Sequence, residues 1–211
     1  MTYLIKEAFY SIQGEGAQSG RPAIFCRFAG CNLWSGKEED RADAQCRFCD
    51  TDFHGTDGDG GGVFEVAEDL VQHLLGFWPS QQEGDPFVVL TGGEPALQLD
   101  RELIDVLHAH RFEIAIETNG TMPLPSGLDW TCVSPKAGTT LSIRTGNELK
   151  LVYPQRDLDP ESFAGLEFGQ WFLQPMDGPD LEENTRSAMD YCLRHPLWKV
   201  SLQTHKILGV R

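Results

Sequence analysis

Short apolar runs alternate with amphipathic ones along most of the chain. Ala23–Ala29, Phe87–Leu90, Phe112–Glu117, Trp130–Ser134, Glu148–Tyr153, Trp171–Gln174 and Lys199–Gln203 read as short buried strands. Val66–Phe77, Asp100–Ala109 and Leu181–Arg194 read as helices with one apolar face. Strands that alternate with helices predict βα units around a parallel sheet. Three helices are too few for an eight-unit barrel, which takes about 250 residues, so the expected α/β fold is a partial, open (β/α) barrel of about six parallel strands with reduced helix content. Ligands in such sheets bind at the carboxyl ends of the strands, and most of the conspicuous polar and glycine motifs follow a predicted strand.

Two segments break the alternation. Ser35–Gln45 is a charged insertion, and Gly55–Gly62 is a glycine- and aspartate-rich loop without an apolar residue. Asp57-Gly58-Asp59-Gly60 faintly resembles a calcium loop but lacks the bidentate acid at the right distance, so a linker is expected. No internal repeat or inter-domain linker is visible. The 211 residues are expected to form one domain, 1–211, with a loop insertion at 30–56.

Composition narrows the function. An apolar content of 40% supports an ordinary core, and a net charge of −15 argues against broad nonspecific binding to nucleic acid or anionic membrane. It leaves room for an anionic small ligand held by a few local basic groups. No apolar run approaches the roughly 20 residues of a membrane span. Met1 to Glu7 lacks the basic start and apolar core of a signal peptide. A cytoplasmic location is expected, where thiols stay reduced and the six cysteines do not form three disulfides.

Three of those cysteines carry the strongest signal. Cys31, Cys46 and Cys49 are spaced C-x14-C-x2-C with no fourth nearby. Structural zinc usually takes four protein ligands, whereas three thiolates fit a [4Fe–4S] cluster with one iron left open to a small chelating ligand. Zinc with a distant fourth ligand such as His54, or a redox dithiol, are the alternatives. Trp34 and Phe48 would shield a cluster or serve as ordinary core, and Cys26, Cys132 and Cys192 read as core.

Three strand ends add polar groups. Leu90-Thr91-Gly92-Gly93-Glu94-Pro95 offers two glycines that let a ligand approach the backbone, with Glu94 able to pair with an ammonium; alone it is a turn into a helix. Glu117, before Thr118-Asn119-Gly120, is placed to accept two hydroxyl hydrogen bonds, as an acid does for ribose in dinucleotide folds. Ser134-Pro135-Lys136 sets a hydroxyl and a cation at the next strand mouth.

The cysteine triplet, the Gly-Gly-Glu-Pro turn, Glu117 and Ser134-Pro135-Lys136 occur in the order found in radical S-adenosylmethionine enzymes. The usual spacing there is C-x3-C-x2-C. The longer first interval, the opening Phe9-Tyr10-Ser11-Ile12-Gln13-Gly14-Glu15-Gly16 and Cys49-Asp50-Thr51 resemble one subgroup, the 7-carboxy-7-deazaguanine synthases, from about Tyr3 to Gln203-Thr204-His205-Lys206. The resemblance implies a partial barrel of the radical SAM type and a [4Fe–4S] cluster on the three cysteines. It implies that the open iron binds the amino and carboxylate groups of S-adenosyl-L-methionine, which is cleaved to methionine and a 5′-deoxyadenosyl radical. Gly92, Gly93 and Glu94 would hold the methionine end, Glu117 the ribose, and Ser134, Lys136 and Gln174 the rest of the cofactor.

The implied substrate is the pterin 6-carboxy-5,6,7,8-tetrahydropterin. Hydrogen abstraction from C6, ring contraction and loss of ammonia give 7-carboxy-7-deazaguanine, a queuosine precursor, with S-adenosylmethionine regenerated. Ile12, Gln13, Gly14, Glu15, Arg27, Thr91, His205 and Lys206 are the substrate-side residues. Gln13 and Glu15 suit the amide and amino edge of a pterin. Arg27, Lys206 and a Mg²⁺ ion suit its carboxylate, with the Thr51 hydroxyl as the single protein ligand to Mg²⁺ and Asp50 in support. Closure of the short tail after Lys206 over the substrate, with its backbone or terminal carboxylate on the pterin, is a hypothesis that the sequence leaves open. A flavodoxin or ferredoxin electron donor and a homodimer follow from the family alone. The alternatives are a glycyl-radical-activating enzyme, which normally keeps the shorter cysteine spacing, and a zinc-stabilised binding module.

Overall fold

The computed structural model describes residues 1–79 and 84–211. Its framework is one nine-stranded sheet in the order β3-β1-β2-β4-β5-β6-β7-β8-β9. The strands are β1 (Tyr3–Ile12), β2 (Pro22–Phe28), β3 (Gly62–Phe64), β4 (Phe87–Gly92), β5 (Glu113–Thr118), β6 (Trp130–Val133), β7 (Thr145–Tyr153), β8 (Glu167–Pro175) and β9 (Lys199–Val200). From β2 to β9 neighbours run parallel, while β1 pairs antiparallel with β2 and β3. The sheet ends on β3 and β9 rather than closing, so it is an open barrel with modest helix content.

Four α-helices connect or flank these strands among the described residues: α1 (Ala67–Leu75), α2 (Arg101–Ala109), α3 (Leu181–Arg194) and α4 (Thr204–Leu208). In α2 the Asp100 carboxylate caps the first turn by accepting from the Leu103 N–H (2.9 Å). Leu103, Ile104 and Leu107 then recur on one face and are fully buried. Together with Leu70, Val71 and Leu74 of α1, they pack on Ile24, Cys26, Phe28, Val88, Leu90, Ile114 and Ile116 from the outer face of β2, β4 and β5. A second core sets Ala188 and Tyr191 of α3, with Trp198, against Leu149, Leu151 and Leu173.

Period-two alternation sends the intervening residues to the inner face. Its lower part is plugged by Ala23, Phe87, Val89 and Ala115 with Phe25 and Trp130. Towards the carboxyl ends the inner positions become polar: Arg27, Thr91, Glu117, Lys150 and Gln174 all line one cavity.

The expected strands and helices are all present, with Leu181–Arg194 matching α3 and Lys199–Gln203 shortened to two residues. β1, β3 and α4 are additions. β1 has no continuous alternation because a bulge between Ile5 and Glu7 switches its inward face: Tyr3 and Ile5 enter the core before it, Ala8 after it. Within Ser35–Gln45 the chain makes a 3₁₀ turn, Glu38–Asp43. All six cysteines are free thiols. Among the described residues no helix is long and apolar enough to cross a membrane.

Candidate active site

The inner face encloses a cavity of about 480 Å³. Cys31 enters it just after β2, where Gly30 takes φ +87°. Cys46 and Cys49 reach the same wall from the loop after the 3₁₀ turn. Cys46 donates to the Cys49 sulfur, which lowers the Cys49 thiol to about 6. The same bond, with burial, pushes Cys46 up, and burial raises Cys31. The Lys136 ammonium stands near Cys46 and Cys49, and its own burial lowers its pKa. Trp34, Ala44 and Phe53 pack beneath Cys31 and Cys49 as a small apolar cluster, and Phe48 lines the cavity. His54 is exposed and does not line it. Among the described residues no group of three or more His, Cys, Asp or Glu is arranged to hold a single metal ion. Three free thiols on one wall, backed by a half-buried cation, fit an iron–sulfur cluster with one open iron.

Beside Cys31 lies the turn after β4, whose Glu94 N–H donates to the Gly30 carbonyl (2.9 Å). A Cβ on Gly93 would come within 2.0 Å of the Gly30 carbonyl oxygen, and one on Gly92, at φ +144°, within 2.3 Å of the Phe28 carbonyl oxygen. Both positions therefore require glycine, and Gly92, Gly93 and Thr91 face the cavity. Glu94 does not. It is fully buried, and its carboxylate accepts from the Ala96 N–H (3.0 Å), the Thr118 hydroxyl (2.7 Å) and the Asn119 N–H (2.7 Å). Glu94, expected at the methionine end of the cofactor, here braces the β4 turn against the end of β5. Glu117, Ser134, Lys136 and Gln174 line the cavity as expected, with Lys136 donating to the Ser134 hydroxyl (2.7 Å).

The whole chain has close relatives. A 7-carboxy-7-deazaguanine synthase of Bradyrhizobium diazoefficiens is 59% identical over 211 residues, covering 100% of both proteins. One from Bacteroides thetaiotaomicron is 39% identical over 207 residues, 98% of each. The chain belongs to the 7-carboxy-7-deazaguanine synthase family. The crystal structure of QueE from Escherichia coli superposes with a TM-score of 0.72 at 28% identity, over 96% of this chain and 94% of that one. No protein-family model matches.

In this synthase-family chain, Ile12, Gln13, Gly14 and Glu15 reach the cavity from the end of β1, at the foot of the parallel strands. Gln13 donates to Glu117 (2.8 Å), and Gln203 donates to Glu15 (2.9 Å). Thr51 lines the wall beside Cys49, and His205 packs on Gly14, where a Cβ would meet its Nδ1 at 2.1 Å.

Both basic residues expected at the substrate already hold carboxylates. Arg27 Nε donates to Glu7 (2.8 Å), and Lys206 bridges Asp50 (2.7 Å) and Asp177 (2.6 Å). Arg211 lines the cavity, pairs with Glu7 and with Asp59 (2.9 Å), and covers the Phe9 ring. The tail therefore stands at the mouth.

Lys150, Glu7 and Asp177 are site residues that sequence reasoning missed. Lys150 left a signal. In Glu148-Leu149-Lys150-Leu151 polar and apolar residues alternate inside a strand whose apolar positions are buried, so the polar set must face an internal cavity.

Proposed function

We propose that the chain converts 6-carboxy-5,6,7,8-tetrahydropterin to 7-carboxy-7-deazaguanine with release of ammonia, as a carbon–nitrogen lyase of the radical SAM class serving 7-deazapurine (queuosine) biosynthesis. The supporting observation is that three free thiols, the Gly92–Gly93 turn and the polar ends of β5 and β6 open on one cavity. In this reading Cys31, Cys46 and Cys49 hold a [4Fe–4S] cluster. Gly92 and Gly93 hold the methionine end of S-adenosyl-L-methionine, Glu117 accepts its ribose hydroxyls, and Ser134, Lys136 and Gln174 complete that subsite. When bound, these cofactors supply one-electron chemistry able to abstract hydrogen from carbon.

The protein's own groups do the rest. Gln13 and Glu15 accept and donate along the pterin edge, from the foot of the cavity. Thr51 would hold a Mg²⁺ ion, which would supply positive charge for the substrate carboxylate, and Arg27 and Lys206 line the mouth in ion pairs with Glu7, Asp50 and Asp177. The aromatic groups Trp34, Phe48 and Phe53 keep water from the thiols. The same reading places the chain in the cytoplasm as a homodimer reduced by a flavodoxin or ferredoxin.

Anaerobic incubation with reductant, S-adenosylmethionine and carboxytetrahydropterin tests it. Ammonia and a deazapurine are expected; absence of both from protein that carries iron and sulfide refutes it. A colourless protein carrying zinc would favour a binding module instead.

A further inference from the structure

At the foot of the cavity lies a charged group that the reading above leaves without a task. Lys150 is on the inner face of β7 with only 4% of its side chain exposed. Its ammonium donates to Glu15 Oε2 at 2.6 Å and to Glu117 Oε2 at 3.1 Å. The other oxygens are also held: Glu15 Oε1 by Gln203 and Glu117 Oε1 by Gln13. A carboxylate oxygen has two lone-pair directions, so each oxygen keeps one for a ligand in the cavity.

Two carboxylates this close in a low-dielectric site repel, and without a cation one of them takes up a proton. A protonated carboxyl then presents a donor where the pterin edge and the ribose diol also present donors. Burial pushes the Glu15 carboxyl up, but the Lys150 ammonium and Gln203 outweigh it and hold the group at about 2. Burial pulls Lys150 down, and Glu117 and Glu15 more than restore it. The other charged or titratable groups facing the cluster are Cys132 on β6, Glu148 on β7, Lys136 after β6 and His205 on α4.

We propose that Lys150 is a positioning residue that keeps Glu15 and Glu117 as a matched pair of acceptors, one for the pterin and one for the ribose of the cofactor, and so links the two ligands through one buried cation. The inference rests on the function proposed above. Its cofactor half does not need turnover, so the two can fail separately.

The test compares parent and Lys150→Met proteins loaded to equal iron content. The expected result is a rise of about tenfold or more in both the KM for carboxytetrahydropterin and the Kd for S-adenosylmethionine, the scale of one lost charge-assisted hydrogen bond. The KM of the variant should also fall as pH rises from about 6 to about 8, because Glu15 must then lose a proton to accept, while the parent stays flat. A purely structural role would not create that pH dependence. Unchanged constants at equal iron, or the same pH profile in both proteins, would overturn the proposal. Should Lys150→Met fail to fold, Glu15→Gln decides: it must shift the Kd for S-adenosylmethionine by at least about threefold, although Glu15 faces the pterin, and an unchanged Kd overturns the link. A parent that binds S-adenosylmethionine but makes no deazapurine refutes the proposed function and leaves the cofactor half to be decided by the variant's Kd.

Discussion

Glu94 illustrates what a motif does and does not say about a side chain. Its three donors come from the 3₁₀ turn it caps and from the end of β5, so the carboxylate sets how far the Gly92–Gly93 turn stands from Glu117. Glutamine has the same shape, but one oxygen becomes an NH₂ that must face a donor. Glu94→Gln should therefore destabilise the cluster-free protein by about 2–3 kcal/mol, the scale of a buried polar group left unmatched. Chemical unfolding measures this, and an unchanged midpoint would show that the carboxylate is not needed for the brace. The string Gly-Gly-Glu-Pro located the turn but not the direction of the carboxylate, because that depends on Thr118 and Asn119, more than twenty residues later in the chain. Cys31, Cys46 and Cys49 were legible because their spacing is local and no disulfide competes for them. The inward direction of Lys150 could be read from the alternation in β7 but its partners could not, since Glu15 and Glu117 lie far away in sequence.

At the scale of elements, the charged insertion between Cys31 and Cys46 acquires a structural role. Its 3₁₀ turn carries Arg41, whose Nη1 donates to the carbonyls of Arg47 (2.9 Å) and Cys49 (3.0 Å). Its guanidinium lies 4.1 Å over the Trp34 ring, and Glu38 holds its Nε. The insertion thus clamps the loop that bears Cys46 and Cys49. Arg41→Ala should lower the iron retained per chain after anaerobic reconstitution by half or more, while the unfolding midpoint of the iron-free protein stays near the parent's, because the lost bonds govern local opening of one loop. Equal iron in both proteins would rule out the clamp. Helices were readable because Leu70, Val71 and Leu74, or Leu103, Ile104 and Leu107, repeat at helical spacing on a single buried face. The same logic failed at β1, where the bulge reverses which residues point inward, and at β3, which is three residues long and begins with glycine.

For the molecule as a whole, the open parallel sheet was legible, and of the closure of its mouth only the place of the tail was, not the pairs that hold it. The closure depends on ion pairs between distant segments, Lys206 with Asp50 and Asp177, and Arg211 with Glu7 and Asp59. Such pairing also sets how stability responds to acid in a chain of net charge −15. Glu15 releases its proton at about 2 in the folded protein against an ordinary 4.5, so the unfolded chain takes up that proton first as pH falls. Its contribution is complete above about 4.5 and is lost as pH falls through about 2. Asp52 and Asp177, lowered by hydrogen bonds from Lys6 and Lys206, act in the same direction. Glu94 and Glu148, pushed up by burial, act in the opposite one, since the folded protein keeps their protons longer. Glu15, half-buried and with the largest of these downward shifts, should dominate the acid limb. In denaturant titrations stepped through that window, the parent should lose stability more steeply than Glu15→Gln, by up to about 3 kcal/mol across the whole shift. Parallel limbs would mean that Lys150 does not hold Glu15 ionised, and the measurement reads this without cluster, cofactor or substrate.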